Sequence, residues 1–202
     1  MAGSIKLTGK IADKAVKMLK KVSAVLEKNN IPYVLEAGTL LGIVRENRLL
    51  PWDNDMDITI TEQYGEKLLG VRWQFWLAGY RTRVRRYKKD TGPFTKGTLR
   101  ILKIQTTRFF FFKEHSLLDI FIKKPIDGDY YWTVSTKSPV LKSVPKKYYD
   151  EHTQIEFEGK KFMAPKEYEG FLEYCYGDWR TPVKDWNFRT GDNCVREIYQ
   201  DE

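Results

Sequence analysis

Residues 36–60 read EAGTLLGIVRENRLLPWDNDMDITI, an apolar stretch carrying Gly38 and Gly42 that runs into Asp53, Asp55 and Asp57 at every second position. Aspartate is a poor strand residue, so three on one strand break a local rule, and such breaks gather at functional sites. Residues two apart on a strand share a face, so Asp55 and Asp57 aim together while Met56 and Ile58 pack behind them. Carboxylates about 7 Å apart along a strand can bracket a divalent cation if a third acid arrives from a neighbouring strand. Asp119 is the candidate, because it interrupts SLLDIFI, residues 116–122, an otherwise apolar stretch with the marks of a central strand. A carboxylate left unpartnered there is expensive, and a shared cation relieves the expense. The candidate ligands are all oxygen, which favours magnesium and admits manganese. Two plainer readings stand beside this one: DND as a hairpin turn, and Asp119 paired to a lysine or arginine.

Upstream, Gly38 and Gly42 let the backbone come close to a ligand. Thr39 falls at a helix N-terminus, where its hydroxyl and free N–H groups can hold a phosphate. Trp52, beside the acids, reads either as a stacking platform for a base or alcohol group or as packing beneath them.

The rest of the chain supplies a frame. Ile11, Ala15, Met18, Leu19, Val22, Val25 and Leu26 have helical spacing over residues 10–28, stopped by NN and IP. YVLEA reads as a strand, GTLLGIVREN as a tight turn with a short helix behind it, and DMDITI as a second strand. Residues 63–79 have a helical pattern interrupted by Gly70 and Gly79. Four strands follow, YRTRVRRYK, GTLRILKIQ, TRFFFFK and SLLDIFIKK, with turns at DTGP and DGD. The FFFF run at 109–112 is placed in the sheet interior. APKEYEGFLEYCYG reads as a helix with Tyr168, Phe171, Leu172 and Cys175 on one side, ended by Gly177. Helices and strands in this order give an α+β fold, a mixed sheet flanked by helices, with a C-terminal helical and aromatic segment.

At 202 residues, 42% apolar and 31% charged, the chain is expected to fold as one domain over 1–202. Its core is placed near 10–125 and a C-terminal segment near 126–202. A net charge of +8 favours anionic partners: phosphorylated small molecules, nucleic acid or an anionic membrane surface. Nucleic acid lacks any recognised module here. Arg81, Arg83 and Arg85 share one strand face, either along the route of an anionic ligand or as a solvated edge. Cys175 and Cys194, with no CxxC spacing, give no zinc finger, and His115 and His152 have no third ligand at zinc spacing. No segment has the length of a membrane span or the core of a signal peptide, so a reducing, cytoplasmic setting is expected.

The stretch GTLLGIVRENRLLPWDNDMDITI resembles the signature of the LicD family of the nucleotidyltransferase superfamily, which includes bacterial phosphocholine transferases and fukutin-related proteins. LLDIFIKK and APKEYEGFLEYCYGDWRTP resemble two later family segments, so the resemblance runs from Tyr33 to Pro182. It implies a nucleotidyltransferase-like fold and a metal-dependent transferase. That enzyme would move a phosphorylated alcohol, phosphocholine or a similar group, from a CDP-activated donor such as CDP-choline to a glycan or other hydroxyl acceptor. By resemblance Asp55, Asp57 and Asp119 are the metal-binding acids, and Asp53 is a further acid for metal contact or proton acceptance. Gly38 and Thr39 form the donor-phosphate turn, and Arg45 is a candidate bidentate clamp on the donor phosphate. The chain is short for this family, so an acceptor-binding domain is expected either to be absent or to be supplied by a partner subunit. Two other readings are nucleotidyl transfer from an NTP to a small molecule or nucleic-acid end, and a catalytically inactive nucleotide- or glycan-binding module.

Overall fold

The computed structural model describes residues 5–108, 112–183 and 186–200. Helix α1 (Gly9–Lys28) buries Ala15, Met18, Leu19, Val22 and Leu26 completely, as its apolar spacing requires. Each of the larger of these side chains contributes about 1.5–3 kcal/mol on burial. Strand β1 (Val34–Glu36) runs straight into α2 (Ala37–Glu46), with no separate turn between them. The junction is sharp because Ala37 adopts φ +47°, a left-handed conformation that costs an alanine about 1–2 kcal/mol.

Strand β2 (Met56–Thr61) follows, so of the three alternating aspartates only Asp57 lies on a strand. Asp53 and Asp55 precede it on the irregular approach, a correction to the three-on-one-strand reading. The interrupted pattern at 63–79 resolves into a 3-10 turn, α3 (Gly65–Gly70) and α4 (Arg72–Leu77).

Next come β3 (Tyr80–Arg86), β4 (Leu99–Arg108) and β5 (Phe112–Ile126). TRFFFFK is therefore not a strand of its own: Thr107 and Arg108 end β4, and Phe112 opens β5. Of the phenylalanine run, 109–111 lie outside the described residues, and Phe112 is 69% exposed rather than interior. Asp127 and Gly128, both at positive φ, form a two-residue hairpin to β6 (Asp129–Val134). The chain closes with β7 (Val140–Pro145), α5 (Lys147–Asp150), β8 (His152–Phe157), β9 (Lys160–Pro165), α6 (Tyr168–Tyr176) and β10 (Val195–Ile198).

The main sheet is mixed. Strand β5 pairs in parallel with β2 on one side and antiparallel with β4 on the other. Strand β1 flanks β2, and β3 forms an edge on β4. The far end of β5 continues through β6 and β7 to β10, so one long strand joins both halves of the sheet. Strands β8 and β9 form a separate hairpin. One face of β2, β4 and β5 carries Met56, Ile58, Leu102, Ile104, Leu118 and Ile120, all fully buried in the core shared with α1. The opposite face carries the acids, and the C-terminal segment packs over it. No helix among the described residues is long and apolar enough to cross a membrane.

Candidate active site

Because β1, β2, β5 and β4 lie side by side, one row of the sheet reads Glu36, Asp57, Asp119, Lys103, each opposite the next. Asp57 and Asp119 therefore share a face, and with Asp53 and Asp55 they line a single cavity of about 710 Å³. That volume lies in the usual range for small-molecule sites, about 300–1,000 Å³.

The acids repel one another and are poorly hydrated. Burial, then the charges of Asp119 and Asp53, pushes the Asp55 carboxyl up to about 7. Asp57 is raised well above the usual carboxylate range by burial and by the charges of Asp55 and Asp119. Asp119 is raised by burial against the opposing pull of Lys103, whose ammonium is paired to Oδ2. Asp119 Oδ1 is buried and has no hydrogen-bond partner among the described residues. The lysine pairing expected for Asp119 is thus present at Oδ2, while Oδ1 is left without a protein partner among the described residues. Asp53 is raised by burial, while the backbone N–H of Asn54 donates to its Oδ1 at 2.9 Å.

An orphaned buried oxygen among mutually repelling carboxylates fits a divalent cation, and the donor set suits magnesium or manganese. The oxygens are nevertheless spread apart. Among the described residues, the group whose ligand atoms all lie within 4.8 Å of one another is Cys175, Asp192 and Cys194, not the three aspartates.

The glycines and their neighbours have distinct tasks. A Cβ on Gly38 would lie 2.2 Å from Asp53 Oδ2, so glycine is what lets that carboxylate stand against α2. Gly42 makes room for the backbone instead, since a Cβ there would lie 2.6 Å from the Arg48 carbonyl oxygen. Thr39 is buried and absent from the cavity wall; its hydroxyl oxygen accepts the Asp57 N–H at 2.8 Å and so braces the strand. That contact gives Thr39 a positioning role toward Asp57. Arg45 reaches the cavity, but its Nε and Nη2 fork onto Glu46 and its Nη1 donates to the Trp179 carbonyl at 3.2 Å. Its bidentate face is already engaged, contrary to the free clamp expected. Trp52 is half exposed on the cavity wall with the Arg45 guanidinium 5.9 Å from its ring, not packed beneath the acids.

Across the cavity stand Trp132, Tyr176, Trp179, Trp186 and Phe188, the aromatic wall built by the C-terminal segment. Behind it lies a buried network that sequence reading missed. Glu36 Oε2 accepts from Lys123 at 3.0 Å, from the Thr59 hydroxyl at 3.0 Å and from the Tyr149 hydroxyl. The Lys123 ammonium, fully buried, also lies 3.4 Å from the Trp132 ring centroid. Lys142 pairs with Asp192, and the thiols of Cys175 and Cys194 lie 2.6 Å apart. A signal for Lys103 was available: a lysine inside the apolar strand LRILKIQ, on the face period of a strand that must meet Asp119. Arg81 and Arg83 are exposed on the edge strand β3, which favours the solvated-edge reading for both.

The sheet thus presents paired acids to a cavity beside a helix opened by Gly38 and Gly42. The family model described as LicD/FKTN/FKRP, nucleotidyltransferase domain, matches residues 30–167, and the chain belongs to that family. An uncharacterised protein of Rickettsia prowazekii is 39% identical over 75 residues, 37% of this chain and 28% of that one. Ribitol-5-phosphate transferase FKTN of Homo sapiens is 24% identical over 178 residues, 87% of this chain and 35% of that protein. The chain thus spans about a third or less of these relatives. A solved structure of ANT(2″)-Ia in complex with adenylyl-2″-tobramycin has a TM-score of 0.48 and 17% identity, covering 86% of this chain and 82% of that one.

Proposed function

We propose that this chain is the catalytic domain of a transferase moving a phosphorylated alcohol from a CDP-activated donor to a hydroxyl on a glycan or other acceptor. The observation that carries the reading is the row in which Asp57 and Asp119 stand opposite each other, with Asp119 Oδ1 buried and unsatisfied. Family membership, and a relative named as a ribitol-5-phosphate transferase, support the same chemistry.

In-line displacement at phosphorus needs positioning and charge neutralisation more than a covalent catalyst. Asp55, Asp57 and Asp119 would hold a divalent cation, magnesium or manganese. When bound, it supplies Lewis-acid stabilisation of charge on the diphosphate oxygens. Lys103 fixes Asp119 through Oδ2 and leaves Oδ1 for the site. Thr39 fixes Asp57 through its backbone. Asp53, held by the Asn54 N–H and admitted by Gly38, takes the proton from the acceptor hydroxyl. The aromatic wall excludes water and seats the alcohol or the base.

The test is a panel of CDP-choline, CDP-ribitol, CDP-glycerol and nucleoside triphosphates incubated with magnesium and hydroxyl acceptors. CMP release is the expected result. Pyrophosphate release from a triphosphate would assign nucleotidyl transfer instead. Neither product, with no thermal shift from any nucleotide, would leave a binding module.

A further inference from the structure

Residues 67–89 contain eight lysines and arginines and no acid, so this 23-residue segment carries an excess equal to the net +8 of the whole chain. None of the eight forms a salt bridge among the described residues. The segment folds as one edge of the molecule: the end of α3, then α4, then β3, whose only partner among the described strands is β4. On α4, Phe75 turns inward and is fully buried, while Trp73, Trp76 and Leu77 are 54%, 56% and 78% exposed. Positions 73, 76 and 77 are one helical face. The Thr107 hydroxyl donates to the Gly79 carbonyl at 3.3 Å, which brings the β4–β5 end, with Phe112, to the same place. Lys21 joins them, donating to the Ala78 carbonyl at 3.3 Å.

We propose that this edge docks on the surface of an anionic phospholipid bilayer. Indole rings favour the headgroup level, and basic side chains beside them gain about 1 kcal/mol each from an anionic leaflet. Trp76 donates to the Thr82 hydroxyl on one face of β3, while Arg81 and Arg83, the alternate positions, lie on the other. A surface meeting this edge end-on therefore finds cations without salt bridges beside exposed tryptophan and leucine. A nucleic acid would use the arginines but would leave Leu77 and Phe112 in water. It would also find one face of Trp76 taken by Arg72, whose guanidinium lies 5.7 Å from the ring. The placement suits a transferase. Because β2 and β5 are parallel, the sheet end bearing Phe112 is the one at which Asp57 enters. Leu118, opposite Met56, lies six residues along β5 from Phe112, about 20 Å. A protein lying on this edge keeps its acids near the bilayer.

The test is co-sedimentation of the whole chain with phosphatidylcholine vesicles, with and without phosphatidylserine, at low and high salt. Binding is expected to the anionic vesicles and to weaken as salt rises. Trp73→Ser with Leu77→Ser is expected to weaken partitioning about tenfold or more. Arg81→Glu with Arg83→Glu is expected to weaken it by more than about tenfold at low salt. All four positions are exposed, and circular dichroism with thermal melts checks that each variant folds. The idea fails if the wild-type chain does not sediment with anionic vesicles, if neither pair of substitutions alters binding, or if zwitterionic vesicles bind equally well. It fails equally if the chain is a dimer that the Trp73 and Leu77 substitutions dissociate, or if it retains single-stranded nucleic acid while ignoring vesicles. Transfer activity is not read in this experiment, so its outcome is independent of the reaction proposed above.

Discussion

Two groups of buried charge sit on the same face of the same sheet and are built in opposite ways. Glu36 has its Oε2 surrounded by an ammonium and two hydroxyls, and Lys123 adds an aromatic face. One strand away, Asp57 looks mainly at other carboxylates, and Asp119 keeps one oxygen unsatisfied. The first arrangement is a scaffold, in which each charge is compensated inside the protein. The second stores repulsion that protonation of the acids, or a cation entering the cavity, would relieve. Satisfaction of buried polar atoms, more than residue type, separates the scaffold acid Glu36 from the candidate site acids.

The largest expected effect falls on the acid row. Asp57→Asn should abolish transfer, a loss well beyond the 10–100-fold, roughly, that a supporting residue causes. It should leave the unfolding midpoint unchanged or higher, because a repelled charge has been removed. A clear loss of stability in urea melts would merge the two groups and break the comparison.

Lys123→Met should do the reverse to the network. It leaves the Glu36 charge buried without its cation, and the expected loss of stability is about 3–5 kcal/mol, read from urea unfolding.

The acids also set a pH dependence. Asp55 is raised from 3.8 to about 7, so between those values the folded state binds more protons than the unfolded state. The Asp55 contribution to the stability of the cation-free protein should therefore fall as pH rises through that window and level off above it, by a few kcal/mol at most on the order of the shift, with the other raised acids adding falls of the same sign. Asp55→Asn should flatten the curve, which thermal melts across pH would show.

Lys103→Met tests the hinge between the two groups. Transfer should fall about 10–100-fold as Asp119 loses its orienting partner, while Asp119→Asn added on top should cost little more in stability.

The smallest effect belongs to the bend that starts α2. Ala37→Gly relieves a left-handed alanine and should stabilise by about 1 kcal/mol or less, a shift calorimetry can resolve.

Much of this was legible before any coordinates. The α1 face, the strand ending in ITI, the α6 face and the Gly177 stop all follow from local spacing and turn chemistry. The shared face of Asp57 and Asp119 followed from two strands with a polar interruption each. Where reading failed, the cause was pairing or packing at a distance. TRFFFFK has strand composition throughout, and only the β4–β5 pairing divides it. Residues 63–79 look noisily helical because α4 hides Phe75 alone and leaves Trp73, Trp76 and Leu77 outside, so its apolar pattern names no single core face. Nothing local to Thr39 reveals that the Asp57 N–H, 18 residues on, donates to its hydroxyl oxygen.

By itself the sequence determined which side of the sheet Asp57 and Asp119 would take: alternation along a strand is a covalent fact of period two, and it sets these acids apart from the core wherever the strand lies. Tertiary structure alone decided which charges would be quieted. Glu36 meets Tyr149 across 113 residues and Arg45 meets Trp179 across 134. Such contacts depend on which strands become neighbours, a choice made by burial summed over the whole core rather than by any local run of side chains.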